Sequence, residues 1–329
     1  MDGPIFAEKP RIISRTMNYL FCNTSSAQPL ADAVAQHLDL DRGVLYSEEF
    51  SDGEIFVRFE SSIRGNALFL LAQPAMPYAN LFEMYLAVDA ARRASAQEII
   101  CVLPYLPHSR QERKDTVRTS IAARVVADFL QTVGADRVVT VELHTSTIEG
   151  FYKIPVDHLH TDNLFIQHIK ESNLNNLCLV SPDFGGLKRI RQYKKALDVP
   201  LAVIHKERLK PNQVSNMEVI GEVKGADVVI VDDLIDTAGT LCKAADMLMA
   251  EGANSVRAYI THGVLSGPAY DRIEASPLEK LYITDTIPLK KQSDKIEIIS
   301  CAPLIAAAMQ RLMTGQSLKA LAEPVGVKN

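Results

Sequence analysis

VVIVDDLIDTAGT, residues 228–240, passes from an apolar run to three carboxylates, Asp232, Asp233 and Asp236, and then to a Thr-Ala-Gly-Thr turn. A short Val- and Ile-rich run without alternation is how a strand covered on both faces reads. The spacing predicts a strand ending at Asp233 and a helix beginning near Thr240. The turn from Asp236 to Thr240 then sits where free backbone N–H groups and the positive end of the helix dipole can receive an anion. Gly239 lets backbone come close to that anion, and Thr237 and Thr240 add hydroxyls. Read alone, Asp236 or Thr237 is equally well a helix cap. Acids beside an anion site would repel a bare anion. A sugar phosphate removes the conflict, because its phosphate meets the turn while its diol and a magnesium ion meet the acids.

Similar apolar runs recur at 66–72, 98–104, 137–143, 177–183, 200–206, 255–263 and 280–285. Helical patterns lie between them, among them Ser120 to Gly134 and Thr240 to Gly252, each closing on Gly. Such alternation predicts an α/β protein with mainly parallel sheets flanked by helices. At 329 residues the chain exceeds the roughly 250–300 that one core supports, which favours two domains. The stretches GADRVVTVELHT (134–145) and GADVVIVDDLIDT (225–237) begin alike, as in two related domains. The change of domain is expected near 151–162. With 35 basic and 40 acidic residues the net charge of −5 offers no general attraction to nucleic acid or to an anionic membrane. No segment reaches the ~18 uninterrupted apolar residues of a membrane span, and no signal-type stretch opens the chain. Cys22, Cys101, Cys178, Cys242 and Cys301 are widely spaced and read as buried thiols, and the cytoplasm is the expected compartment.

The opening stretch resembles the phosphoribosyl diphosphate loop of type I phosphoribosyltransferases. Six more stretches, EFSDGEIFVRF (49–59), SRQERKD (109–115), ELHTSTIEGFYKIPVDHL (142–159), SPDFGGLKR (181–189), IHKERLK (204–210) and THGVLSGPA (261–269), are similar to the successive signatures of the ribose-phosphate diphosphokinase family. The likeness runs from about Asn18 to about Leu321. It implies two phosphoribosyltransferase-like domains, at 18–160 and 161–305, after an extension at 1–17 and before a helical tail at 306–329 that packs back on the first domain. The implied reaction moves the β,γ-diphosphoryl group of ATP to the 1-hydroxyl of ribose 5-phosphate. Two Mg²⁺ ions, one with ATP, and a homo-oligomer, a hexamer built from dimers, are implied with it.

The signatures also carry chemistry of their own. Lys206 and Arg208 lie two apart, on one face of an extended segment, and can grip a transferring diphosphoryl group as the catalytic cations. Read alone they are a solvated charged turn. The resemblance makes His144 and Asp183 ligands of the ATP-bound magnesium. Phe50 offers adenine a flat face, with Asp52 and Glu54 as acceptors, on a turn that the family contributes from a neighbouring subunit. Arg110 and Gln111 belong to a basic stretch suited to polyphosphate, and His144 joins them at the nucleotide. Asp232, Asp233, Asp236, Thr237, Ala238, Gly239 and Thr240 are assigned to ribose 5-phosphate.

Ser62, Arg64 and Ser146 match a regulatory anion site. There Glu149, His158 and Lys319 depart from the commoner pattern, so a weak response to phosphate and ADP is expected. His108, Ser109, Glu112 and Ser120 depart in the loop that closes over substrates. A phosphoribosyltransferase would not need the stretches at 49–59, 109–115 and 204–210. An inert associated subunit would be expected to lack Lys206, Arg208 or the acidic pair.

Overall fold

The structure, a computed structural model, describes residues 17–38, 41–172, 174–210 and 213–322, and the side chains of 206–210 and 213–217 lie outside what it describes. The first half runs β1 (Tyr19–Asn23), α1 (Gln28–Leu38), β2 (Leu45–Glu49), β3 (Ile55–Phe59), β4 (Ala67–Leu71), α2 (Tyr78–Arg93), β5 (Glu98–Leu103), α3 (Ala122–Val133), β6 (Arg137–Val141) and β7 (Val156–Leu159). The second runs α4 (Asp162–Glu171), β8 (Leu177–Ser181), α5 (Leu187–Leu197), β9 (Leu201–Lys210), β10 (Gln213–Ile220), β11 (Asp227–Ile235), α6 (Gly239–Ala250), β12 (Ser255–Gly263), α7 (Ala269–Ala275), β13 (Lys280–Ile283), β14 (Ile296–Ile298) and α8 (Ala302–Met313).

Two sheets result. The first has the order β1-β4-β5-β6-β7 and is parallel throughout. The second has the order β10-β9-β8-β11-β12-β13-β14 and is parallel except for β10, which returns antiparallel along β9 at one edge. The expected α/β class with mainly parallel sheets is therefore observed. Every residue of β4 is buried, because helices cover both faces and leave no solvent side for polar residues. On the first sheet α2 and α3 close one face while α1 and α8 close the other. On the second, α6 and α7 oppose α4 and α5. α3 ends at Gly134, whose φ of 113° is the left-handed cap that Gly tolerates.

The element bounds differ slightly from the sequence reading. β11 continues to Ile235 instead of stopping at Asp233, since parallel pairing with β12 persists through Leu234–His262 and Ile235–Gly263. Asp232 and Asp233 lie on the strand, as expected, and Asp236 just after it. α6 begins at Gly239, one residue early. All five cysteines are buried and unpaired. No helix among the described residues is long and apolar enough to cross a membrane.

The carboxyl ends of the two sheets meet. Thr161 and Thr261 share a hydroxyl contact of 2.8 Å, and Gln73 Nε2 donates to the Asp285 carbonyl at 2.6 Å. His262 lies buried between them, its pKa held down by that burial. Nε2 of this neutral ring donates to the Glu142 carbonyl at 2.8 Å, and Nδ1 accepts from Thr286 at 2.9 Å. α8 follows the last strand of the second sheet yet packs on α1, with Leu304, Ile305, Ala308 and Met309 among Phe21, Val34 and Phe69. Ile305 is fully buried there. Ile305→Ala should cost about 2–4 kcal/mol in urea unfolding, the scale for a truncated core residue. A loss under about 0.5 kcal/mol would mean that this helix closes nothing.

Candidate active site

A cavity of about 680 Å³ opens at the carboxyl ends of the second sheet. Its lining gathers His144, Asp183, Asp232, Asp233, Arg110 and the whole turn from Asp236 to Thr240. Residues as distant in sequence as Arg110 and Thr240 are brought together because ligands of parallel α/β sheets sit beyond the strand ends, and here two such ends converge.

The acids are tied down from one side by a single cation. Arg189, two residues into α5, places Nη1 3.0 Å from Asp232 Oδ1, Nη2 3.1 Å from Asp233 Oδ1 and Nε 3.7 Å from Glu142 Oε1. His144 Nδ1 donates to Asp233 Oδ2 at 2.7 Å. Burial and then the adjacent Asp233 push the Asp232 carboxyl up to about 7. Burial opposes ionisation of Asp233 too, but the His144 hydrogen bond and Arg189 overcome it and hold that carboxyl below its usual range. The same hydrogen bond raises the His144 pKa against the effect of burial. Two adjacent carboxyls in one site thus divide into one that ionises easily and one that resists.

The turn joins β11 to α6 beside the acids. Ala238 takes a left-handed φ of 59°, which swings the chain from β11 into α6, and Arg272 Nη1 donates to the Thr237 carbonyl at 2.9 Å. Asp236 accepts from Ser266 and pairs with Arg110 Nη1 at 2.8 Å. Burial works against its ionisation, but Ser266 and Arg110 hold its pKa below the ordinary value. Asp183 caps the backbone N–H of Gly186 at 2.9 Å. A side chain at Gly186 would meet Ser181 Oγ at 2.6 Å and force that hydroxyl to shift. Asp183, Asp232 and Asp233 are hard oxygen donors, with one imidazole beside them. This donor set suits a hard dication such as Mg²⁺.

Other sequence-predicted residues lie elsewhere. Phe50, Asp52 and Glu54 form the exposed tip of the β2–β3 hairpin and do not line the cavity. Gln111 belongs to the short 3-10 turn Ser109–Gln111 that carries Arg110. Ser62 and Arg64 line a separate cavity of about 460 Å³ with Arg58 and Arg93, while Ser146 opens the 3-10 turn Ser146–Phe151 outside it. Glu149 is paired with His158 Nδ1 at 3.0 Å. Lys206 and Arg208 fall on β9, and their side chains lie outside the described residues. Sequence reasoning missed Arg189. Its one signal is electrostatic: Lys188, Arg189 and Arg191 crowd the start of α5, where the helix dipole disfavours cations.

A strand-to-helix phosphate turn with paired acids, between two parallel sheets, defines a phosphate-handling α/β protein of the phosphoribosyl type. The N-terminal domain of ribose phosphate pyrophosphokinase matches residues 19–134, and the phosphoribosyl synthetase-associated domain matches residues 208–322. Among curated relatives, a ribose-phosphate pyrophosphokinase of Caldanaerobacter subterraneus is 44% identical over 94% of this chain and 99% of its own. That of Porphyromonas gingivalis is 41% identical over 92% of this chain and 97% of its own. The crystal structure of phosphoribosylpyrophosphate synthetase from Mycobacterium smegmatis superposes with a TM-score of 0.85 at 37% identity, covering 91% of this chain and 99% of that one. The chain belongs to the ribose-phosphate pyrophosphokinase family.

The raised Asp232 carboxyl has a sign that can be measured. Its folded form keeps a proton that the unfolded chain releases near 3.8, so this stabilisation is complete below that value and is lost as pH rises through about 7. With the side chain 31% exposed, solvent screening trims the effect. In chelator, Asp232→Asn should be more stable than the parent by about 1–2 kcal/mol at pH 8 and equal to it near pH 4. A variant less stable at pH 8 would refute the assignment.

Proposed function

We infer that this chain is a ribose-phosphate diphosphokinase, transferring the β,γ-diphosphoryl group of ATP to the 1-hydroxyl of ribose 5-phosphate and giving AMP and phosphoribosyl diphosphate. The observation that carries this is the single cavity in which the Asp236–Thr240 turn and the Asp232–Asp233 pair face His144, Asp183 and Arg110. The turn takes the 5-phosphate on its free N–H groups, and the acids take the sugar diol. Arg110, with Gln111 beside it, takes the polyphosphate. The 1-hydroxyl oxygen bonds to the β-phosphorus as the bond to the α,β-bridging oxygen breaks. AMP leaves with that oxygen, and the hydroxyl proton passes to solvent. Lys206 and Arg208 are the catalytic cations for the charge that builds on the moving group. Two Mg²⁺ ions, one carried by ATP and held by His144 and Asp183, supply charge neutralisation when bound.

The exposed hairpin tip supports a nucleotide site completed between subunits, with Phe50, Asp52 and Glu54 serving a neighbouring copy's adenine. A homo-oligomer, a hexamer assembled from dimers, belongs to the same proposal. So do the regulatory anion site of Ser62, Arg64 and Ser146, the domain divisions at about 160 and 305, and a cytoplasmic location. A plain phosphoribosyltransferase is disfavoured because the family match extends through both halves of the chain.

AMP formation from ATP and ribose 5-phosphate, measured with and without magnesium, tests the reading directly. No turnover with magnesium present would overturn it. Lys206→Ala should lower kcat by about 10²–10³ while leaving the melting temperature near the parent's. Gly239→Val separates the substrates, since a side chain there would come within 3.1 Å of Arg272 Nη1 and crowd the turn. It should raise KM for ribose 5-phosphate about tenfold or more and move KM for ATP far less. Equal shifts would move the phosphate away from this turn.

A further inference from the structure

Beyond the cavity, four side chains that the reaction does not use come together at the end of the first sheet. β6 and β7 pair in parallel with Thr140 opposite His158 and Val141 opposite Leu159, so Glu142 and His160 follow as neighbours where the strands end. His158 and His160, two apart, share a face. Their rings stand 4.2 Å apart between centroids, and one ligand atom each from Glu142, His158 and His160 fall within 4.8 Å of one another. Glu142 Oε1 is 3.6 Å from His160 Nδ1. Neither histidine lines the cavity.

We propose that Glu142, His158 and His160 bind one divalent transition-metal ion of the zinc class, with Glu149 as the outer carboxylate that orients His158. The hydrogen bonds set the tautomer this requires. His158 Nδ1 faces the Glu149 carboxylate at 3.0 Å and carries the proton, which leaves Nε2 as the lone pair. That is the carboxylate–histidine pairing commonly found behind metal-bound imidazoles. Nε2 now accepts from the Leu143 N–H at 2.8 Å, and ligation exchanges this contact for the ion.

Two further features fit the same reading. Glu142 is buried to 6% exposure yet adopts a φ of 41°, a strained choice for a side chain of its size and of the kind that gathers at functional sites. Thr140 Oγ1, on the strand residue opposite His158, is the one buried side-chain polar atom among the described residues without a partner. A water carried on an incompletely filled metal would supply the partner it lacks. Two imidazoles with one carboxylate select zinc-class ions over Mg²⁺ and Ca²⁺, which prefer all-oxygen sets. The proposal does not rest on the diphosphoryl-transfer reading, although Glu142 also faces Arg189, the counter-ion of Asp232 and Asp233, at 3.7 Å.

Cobalt titration of the full chain, stripped with chelator and kept in excess Mg²⁺ to fill the oxygen-rich cavity, tests the proposal. One equivalent of Co²⁺ should bind with the intense visible bands of four-coordinate cobalt and be displaced by Zn²⁺. His158→Gln and His160→Gln should each abolish those bands, and Glu149→Gln should weaken binding about tenfold. Asp183→Asn, in the cavity, should leave them in place. Circular dichroism checks that each variant is folded, and if His158→Gln is not, His160→Gln decides. Failure of the parent to retain Co²⁺, bands that survive His160→Gln, or bands lost only in Asp183→Asn would overturn it.

Discussion

The structure turns on one guanidinium. Arg189 is the shared counter-ion of Asp232, Asp233 and Glu142, the first two from the second sheet and the last from the first. Three carboxylates this close would repel one another in a medium drier than water. A planar fork with fixed donor directions can serve several of them at once, which a lysine ammonium cannot do in the same geometry. The acidic edge can therefore exist before any metal or substrate arrives, and the carboxyl ends of the two sheets can approach each other. His144 adds a hydrogen bond across the same gap, and His262 a buried one behind it.

Much of the architecture was legible because buried parallel strands leave a plain signal. DVVIVDD, EIICVLP and LCLVSPD are β11, β5 and β8 with bounds off by a residue or two. β1, β2, β3, β7, β10 and β14 were not among the runs read as strands, and the last three show why. VDHL mixes two polar residues into four, QVSNMEVI is a polar edge strand, and IEI is three residues long. Their pairing comes from the neighbouring strand and not from their own hydrophobicity.

The candidate site was legible where one motif holds its residues and opaque where the fold assembles them. Asp232 to Thr240 are contiguous, so their meeting needs only a strand, a turn and a helix. Arg189 needs the packing of α5 against β8 to reach the acids, a contact that no local spacing encodes. The Glu149–His158 pair and the approach of Glu142 to His160 depend on the register of β6 with β7. A sequence displays these only as scattered histidines and glutamates.

The Arg110–Asp236 ion pair, 2.8 Å long, spans the two halves at the start of the turn from Asp236 to Thr240. On the function proposed above, an arriving sugar phosphate would have to take over partners that already satisfy each other. Binding would then be an exchange of ionic contacts and not a net gain of them, moderating the affinity and blunting its dependence on ionic strength. Release of product would be eased for the same reason, since the vacated arginine and aspartate can close on each other. A catalyst arranged this way gives up tightness of grip in return for ready turnover.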